Sequence, residues 1–213
     1  MLKHLLAMAM LSTAALSATP APVAQKQVLA EHRFSLDDRY ANTFVNEVFK
    51  DNILLTLGYM KGIVKKTPVT WGKIEKPFSY SFTLKPKQTF AFHDNVLPGY
   101  KETLTRTTHA DFSSDQGFKS DGYLTGDGVC HLASLMNWVA RDAGLQVEAP
   151  TNHNFARIPD VPREYGVAIY DQPDQPLTSA RQNLYITNNQ KQPIRFTFTY
   201  KDTMLAINVR KEN

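Results

Sequence analysis

The chain has 213 residues, of which 42% are hydrophobic and 21% charged, so it can form one large domain with its own core. Its single cysteine, Cys130, excludes an intrachain disulfide and any multi-cysteine zinc or iron–sulfur site. Lysine and arginine exceed aspartate and glutamate by only four, and the basic residues are scattered, so the sequence predicts no nucleic-acid partner.

The N-terminus has the pattern of an export signal. Lys3 is followed by an apolar run that continues to Leu16 and then by small residues. The run is shorter than the roughly 20 residues that a membrane-spanning helix needs. The pattern predicts a cleaved signal peptide over residues 1–21, with cleavage after Ser17 or Ala21. We therefore expect a protein exported to the cell envelope or beyond, with no stable membrane span after cleavage.

A short exposed linker is predicted over residues 22–34, where proline and alanine are frequent. A sequence resembling a capping box follows and predicts an accessory helical segment over residues 35–70. Tyr40, Phe44 and Val48 fall on one helical stripe. The stripe is too short to close a core alone, so we expect it to be buried against the rest of the protein.

From Trp71 onwards the hydrophobic period changes to two, which is typical of strands. Strands are predicted at 78–84, at 89–92 and at 167–170, and a hairpin is predicted in the tail around Lys201. The sequence thus predicts an α+β domain over residues 71–213, with an antiparallel sheet packed on a central helix.

That central helix begins at a glycine-rich turn, Gly126-Asp127-Gly128-Val129-Cys130-His131, and is expected to end before Gly144. Cys130 then lies in the first turn, where unpaired N–H groups and the helix dipole stabilise a thiolate. This position suits a nucleophile. Gly126, Asp127 and Gly128 are expected to shape a cleft beside it.

His153 is the candidate base for such a nucleophile, because it follows the helix in a predicted loop. Several residues could orient its ring, and the sequence does not choose among Asn152, Asn154, Asp160, Glu164 and Asp171. A structural interpretation stays open, since free cysteines are often buried as small hydrophobic residues. His131 points about 100° away from Cys130 on a helix, so we expect it to hydrogen-bond the glycine-rich loop.

Metal binding is not predicted. His93 with Asp94, and His109 with Asp111, contain metal-binding residue types, but such pairs are common by chance. We expect no metal and no cofactor.

Three segments, taken in this order, resemble VanW-like domains, in which a glycine-rich turn and a cysteine open a helix and a histidine follows. They are Leu84 to Phe92, Gly126 to Ser134 followed by Asn152-His153-Asn154, and Asn183 to Ile194. The resemblance covers roughly residues 75 to 210. The chain departs from the family pattern at His131, where glutamine is usual, and near Tyr165, where an aspartate is expected.

The resemblance implies an exported cell-envelope protein of a family associated with glycopeptide-resistance gene clusters, whose biochemical activity is not settled. One hypothesis is thiol-dependent acyl transfer or amide hydrolysis on a cell-wall peptide, with Cys130 as nucleophile and His153 as base. By analogy, the helix resembles the core of transglutaminase-like and papain-like thiol enzymes. The alternative is a non-catalytic module that binds peptidoglycan or an envelope partner, with a structural Cys–His pair.

Overall fold

The structure is a computed structural model that describes residues 27–65, 67–172 and 174–212. The predicted signal peptide and residues 22–26 of the predicted linker lie outside these residues. The strands are β1 (Val28–Ser35), β2 (Phe78–Leu84), β3 (Thr89–Ala91), β4 (Leu104–Arg106), β5 (Gln146–Glu148), β6 (Tyr185–Thr187), β7 (Ile194–Lys201) and β8 (Met204–Lys211). The helices are α1 (Thr43–Met60), α2 (Trp71–Ile74), α3 (Val129–Asp142) and α4 (Pro176–Arg181). The α+β class is confirmed.

One sheet is antiparallel and has the strand order β1-β8-β7-β2. Within it, β7 and β8 form the predicted hairpin, with Lys201 opposite Met204 beside the turn. Phe196 and Phe198 of β7 are fully buried, while Thr197 between them is partly exposed. Successive side chains of a strand point to opposite faces, so the period of two in the sequence places one face on the core.

The second sheet has the order β4-β3-β6-β5 and is mixed, because β3 pairs antiparallel with β6 and parallel with β4. The predicted antiparallel sheet is confirmed in the first sheet, but the second, mixed sheet is not predicted. The alternation of hydrophobic residues identifies a strand and its buried face, but it does not determine which other strand lies beside it.

The central helix α3 contacts α1, β1, β5 and β8. Leu132, Leu135 and Val139 are fully buried at helical spacing. The helix ends at Asp142, and Gly144 has a φ of +72°, the left-handed conformation that often follows a helix. The prediction of this helix and of its end is confirmed.

The helix α1 is buried on nearly every side over its second half. Ile53, Leu54, Leu55 and Leu57 are all fully buried and belong to the same hydrophobic core as α3. A helix that is apolar all round must lie inside the protein. This half of α1 therefore lies at the centre of the fold.

Two predictions for the N-terminal part are wrong. Residues 28–34, expected in a linker, belong to β1, which pairs with β8 at the edge of the first sheet. The helix, which is predicted to begin at residue 35, begins instead at Thr43, where the side chain of Asn42 accepts a hydrogen bond from the N–H of Phe44. Phe44 is 55% exposed because it lies in the first turn, at the end of the helix away from the core. Of the predicted stripe, Val48 is the residue that is fully packed.

The segment 167–170 is also not a strand. It runs beside the first turns of α3, where the N–H of Val167 donates to the hydroxyl of Ser134 at 2.9 Å. The N–H of Ile169 donates to the sulfur of Cys130 at 3.3 Å. Side chains of α3 thus satisfy backbone groups that a sheet would otherwise satisfy.

A helix long and apolar enough to cross a membrane is not found in the described part of the chain.

Candidate functional site

A cavity of about 510 Å³ opens at the N-terminal end of α3. Its aromatic lining comes from Tyr40, Phe49, Phe112, Phe155 and Tyr170. Its acidic lining residues are Asp111, Asp127 and Asp171, and its lining also includes Gly126, Gly128, Cys130, His131 and His153. The lining contains no lysine or arginine among the residues that the structure describes. In a chain with a formal charge of +4, this is a locally acidic site.

The glycine-rich turn packs directly on α1. Gly126 and Gly128 have φ values of +90° and +98°, in the region that side chains disfavour. A Cβ atom on Gly128 would lie 2.6 Å from the carbonyl oxygen of Phe49. The two glycines are therefore needed for the backbone to turn and to approach α1 closely enough to place Cys130 at the cavity.

Asn52, a fully buried residue of α1, holds the loop that leads to this turn. Its Nδ2 donates to the carbonyl oxygens of Lys119 and Asp127 at 2.9 Å and 2.8 Å. Its Oδ1 accepts from the N–H of Lys119 at 2.8 Å. This role is not predicted from the sequence, although an amide within an apolar helix is a recognisable signal of a buried hydrogen-bonding residue.

Cys130 lies in the first turn of α3, as predicted, and is partly exposed. Its sulfur accepts a hydrogen bond from the N–H of Ile169 and its S–H donates to the Ile169 carbonyl at 3.6 Å. Burial raises the pKa of the thiol to about 11. The expected lowering of the pKa is thus reversed, because the loss of solvation outweighs the effect of the helix N-terminus.

His153 also lines the cavity, but it makes no hydrogen bond with Cys130, although the structure describes both side chains. Its Nδ1 donates to the carbonyl of Ala156 at 3.0 Å, which leaves Nε2 as an acceptor in the neutral ring. Burial lowers the pKa of the ring. The proposed nucleophile and base are therefore not hydrogen-bonded to each other in the structure, and the sulfur is hydrogen-bonded to the backbone of Ile169.

His131 is buried between Arg39 and Tyr40 rather than bonded to the glycine-rich loop, so the predicted partner is wrong. Its Nδ1 lies 3.3 Å from Nη2 of Arg39, and its Nε2 lies 3.3 Å from the hydroxyl of Tyr40. Both partners precede α1 and lie far from His131 in sequence, so no local pattern could have revealed them.

Of the candidate orienting residues, Asp171 lines the cavity, whereas Asn154 and Glu164 lie away from its lining. Asn154 is exposed, and its carbonyl accepts from Nη2 of Arg163. Glu164 is exposed in the single 3-10 turn Arg163–Tyr165. The ring of His153 is oriented by a backbone carbonyl instead.

The acidic residues of the cavity differ in their surroundings. Burial raises the pKa of Asp127 to about 6, so this carboxyl is mostly ionised at pH 7. Asp171 accepts a hydrogen bond from Nδ2 of Asn95 at 2.6 Å. Exposed apolar side chains, Leu124, Phe155 and Tyr170, also line the cavity. The cavity thus combines negative charge with apolar contact area.

The histidines considered for metal binding have other partners. His93 is fully buried, and its Nε2 donates to the carbonyl of Gln182 at 3.1 Å. His109 lies 3.4 Å from Asp94, and both side chains are exposed. Within residues 27–65, 67–172 and 174–212, no three metal-binding side chains lie close enough together to hold an ion.

The fold and the site define an α+β domain with an acidic, aromatic cavity that is lined by a partly exposed thiol and two neutral histidines. A family model described as VanW like protein matches residues 80–210, which is more than half of the chain. The chain belongs to this family, and the resemblance seen in the sequence is confirmed. No curated protein and no solved structure matches the chain.

Proposed function

We propose that this VanW-like protein is exported to the cell envelope and that its cavity binds an amine-bearing cell-wall peptide without cleaving it. The observation that carries the proposal is the cavity itself: its acidic lining residues have no lysine or arginine beside them among the described lining residues, and its thiol has a raised pKa. The signal-like sequence of residues 1–21 supports export.

The cavity lining supports this class of ligand. The three carboxylates attract an ammonium group. Their negative charge also offsets the free energy that is lost when the ammonium group leaves water. The aromatic and aliphatic side chains offer contact to the methyl and methylene groups of a short peptide. Peptides of the bacterial cell wall that carry a diamino acid combine both features, and a volume of about 510 Å³ admits a short peptide.

A pair of peptides tests the proposal. Nα-acetyl-lysyl-D-alanyl-D-alanine carries a free ammonium group, and its Nα,Nε-diacetyl form carries a neutral acetamide in that place. We expect the free amine to bind about tenfold more tightly in calorimetric titrations at pH 7, since pairing an ammonium group with a carboxylate contributes on this scale. In an Asp127→Asn variant the preference for the amine should decrease.

Affinity for the amine should also rise with pH through about 6, because Asp127 has to lose its proton to attract the ammonium group. Equal affinity for both peptides would contradict electrostatic recognition. Binding of neither peptide would contradict the proposed function.

A thiol-dependent amidase or acyltransferase is the second candidate. Cys130, His131 and His153 line one cavity, and Nε2 of His153 is left unprotonated, as a base requires. This mechanism requires the segment 167–170 to move away and release the sulfur, because its backbone hydrogen-bonds to the thiol in the structure. The two candidates therefore differ in the reactivity that they predict for Cys130.

Alkylation of Cys130 by iodoacetamide should be slow at neutral pH. With a thiol pKa of about 11, roughly one molecule in a thousand carries the thiolate at pH 8, and the rate should keep rising to pH 10. Protein unfolded in guanidinium chloride is the control, and its cysteine should titrate near the ordinary value of about 8.5. A folded-state rate that levels off below pH 8 would instead support the thiol enzyme.

A further inference from the structure

Arg39 lies behind the cavity and is only 8% exposed. Its Nη1 donates to the carbonyl of Ser35 at 3.1 Å, and its Nη2 donates to the carbonyl of Pro159 at 2.9 Å. Nη2 also lies 3.3 Å from Nδ1 of His131. A guanidinium group contains only donors, so Nδ1 of His131 must be the acceptor in this contact.

This contact determines where the imidazole of His131 carries its proton. Burial and the charge of Arg39 hold the pKa of the ring well below its usual value, so the ring is neutral at pH 7. A neutral ring with an unprotonated Nδ1 is protonated at Nε2. Because Nε2 lies 3.3 Å from the hydroxyl of Tyr40, the ring donates and the tyrosine oxygen accepts.

The hydroxyl proton of Tyr40 is therefore left for another acceptor. In the described part of the chain, His131 is the hydroxyl's hydrogen-bond partner, and Tyr40 lines the cavity. The residue is held firmly. Asn46 accepts from its N–H at 2.9 Å and donates to its carbonyl at 2.7 Å, and the Tyr40 ring packs edge-on against Phe49 with the centroids 5.0 Å apart.

We propose that Tyr40 donates a hydrogen bond to an amide carbonyl oxygen of the ligand in the cavity, and that Arg39 and His131 are positioning residues that fix this direction. The proposal rests on the proposed binding function and adds a second recognised group beside the ammonium. A peptide offers both groups, whereas a simple diamine offers only the charge. Because the tyrosine is fixed before the ligand arrives, little ordering cost accompanies the new hydrogen bond.

The tautomer of His131 can be measured without any ligand. Long-range ¹H–¹⁵N spectra at pH 7, with the signal assigned by its loss in His131→Asn, should show a protonated Nε2 and an unprotonated Nδ1. A protonated Nδ1, in either the other tautomer or the imidazolium, would overturn the proposal, because Tyr40 would then no longer be fixed as a donor.

The role of Tyr40 is tested by Tyr40→Phe, with the Nα-acetyl-lysyl-D-alanyl-D-alanine peptide as the probe. We expect its dissociation constant to rise about tenfold, the usual size for one net hydrogen bond, while cadaverine, which has no carbonyl, binds equally to both proteins. Tyr123→Phe is the matched control, since Tyr123 is 91% exposed and lies outside the cavity lining.

These experiments distinguish a failure of the donor role of Tyr40 from a failure of the proposed peptide binding. If wild-type protein binds the peptide and Tyr40→Phe binds it equally well, the donor role of Tyr40 is overturned and the binding function stands. If wild-type protein binds neither peptide, both proposals fall. An equal loss in Tyr40→Phe and Tyr123→Phe would also overturn the assignment, because a residue away from the cavity would then matter as much.

Discussion

Replacing Gly128 with alanine is expected to destabilise the protein by about 3 kcal/mol or more. The residue has a φ of +98°, and an added Cβ would meet the Phe49 carbonyl oxygen at 2.6 Å and its Cα at 2.9 Å. These are backbone atoms of α1, so they cannot rotate away as the end of a side chain can. Urea unfolding at pH 7 measures the loss.

Two other glycines separate backbone strain from steric contact. Gly122 has a φ of +113° but open space around it, so Gly122→Ala should cost only the strain, about 1–2 kcal/mol. Gly99 has neither feature, and Gly99→Ala should change stability by less than about 0.5 kcal/mol. If Gly128→Ala cost no more than Gly122→Ala, close packing of the turn on α1 would be contradicted.

Asn183→Ala should cost about 3 kcal/mol or more, because this fully buried side chain satisfies several backbone groups at once. Its Oδ1 accepts from the N–H groups of Phe92 at 2.8 Å, His93 at 3.3 Å and Leu184 at 2.8 Å. Its Nδ2 donates to the carbonyls of His93 at 3.2 Å and Asn95 at 2.9 Å. Thermal unfolding of the variant measures the effect.

Asn208→Ala is the matched control for that variant. Nδ2 of Asn208 donates to the carboxylate of Glu31 in an exposed hydrogen bond of 2.9 Å, so its removal should cost about 0.5 kcal/mol or less. Equal effects of the two substitutions would show that the network of Asn183 contributes nothing beyond an ordinary surface contact.

The parts of the fold that depend on local pattern could be predicted from the sequence. The helix that carries Cys130 and the hairpin at Lys201 both have periodic hydrophobic residues and clear turn residues. By contrast, the sequence predicts a linker where the structure has β1. The local sequence does not reveal this strand, because it is stabilised by pairing with β8 at the other end of the chain. Long-range pairing of this kind leaves little trace in the local sequence of an edge strand.

The candidate site also has features that could be predicted from the sequence and features that could not. The sequence places Cys130 at a helix start and brings His153 to the same cavity, and both positions follow from local features. The pKa of the thiol does not follow from them, because it depends on burial and on the backbone of Ile169. The contacts of His131 with Arg39 and Tyr40 are equally non-local.

The structure explains why one residue of the family-like sequence, Asn183, is an asparagine. Asn183 begins the C-terminal segment that resembles VanW-like domains, and its side chain joins the backbone around His93 to the start of β6. An asparagine is needed here because it supplies an acceptor and two donors without a charge. This asparagine therefore has a structural role in the fold.

The proposed function requires that the cavity binds an amine-bearing peptide and leaves it intact. The most direct test is the paired calorimetric titration of the free-amine and diacetylated peptides, followed by mass spectrometry of the recovered protein and peptides. We expect preferential binding of the free amine, with both peptides and Cys130 unmodified after prolonged incubation. A shortened peptide, or an acyl group attached to Cys130, would contradict the claim and identify the protein as a thiol enzyme.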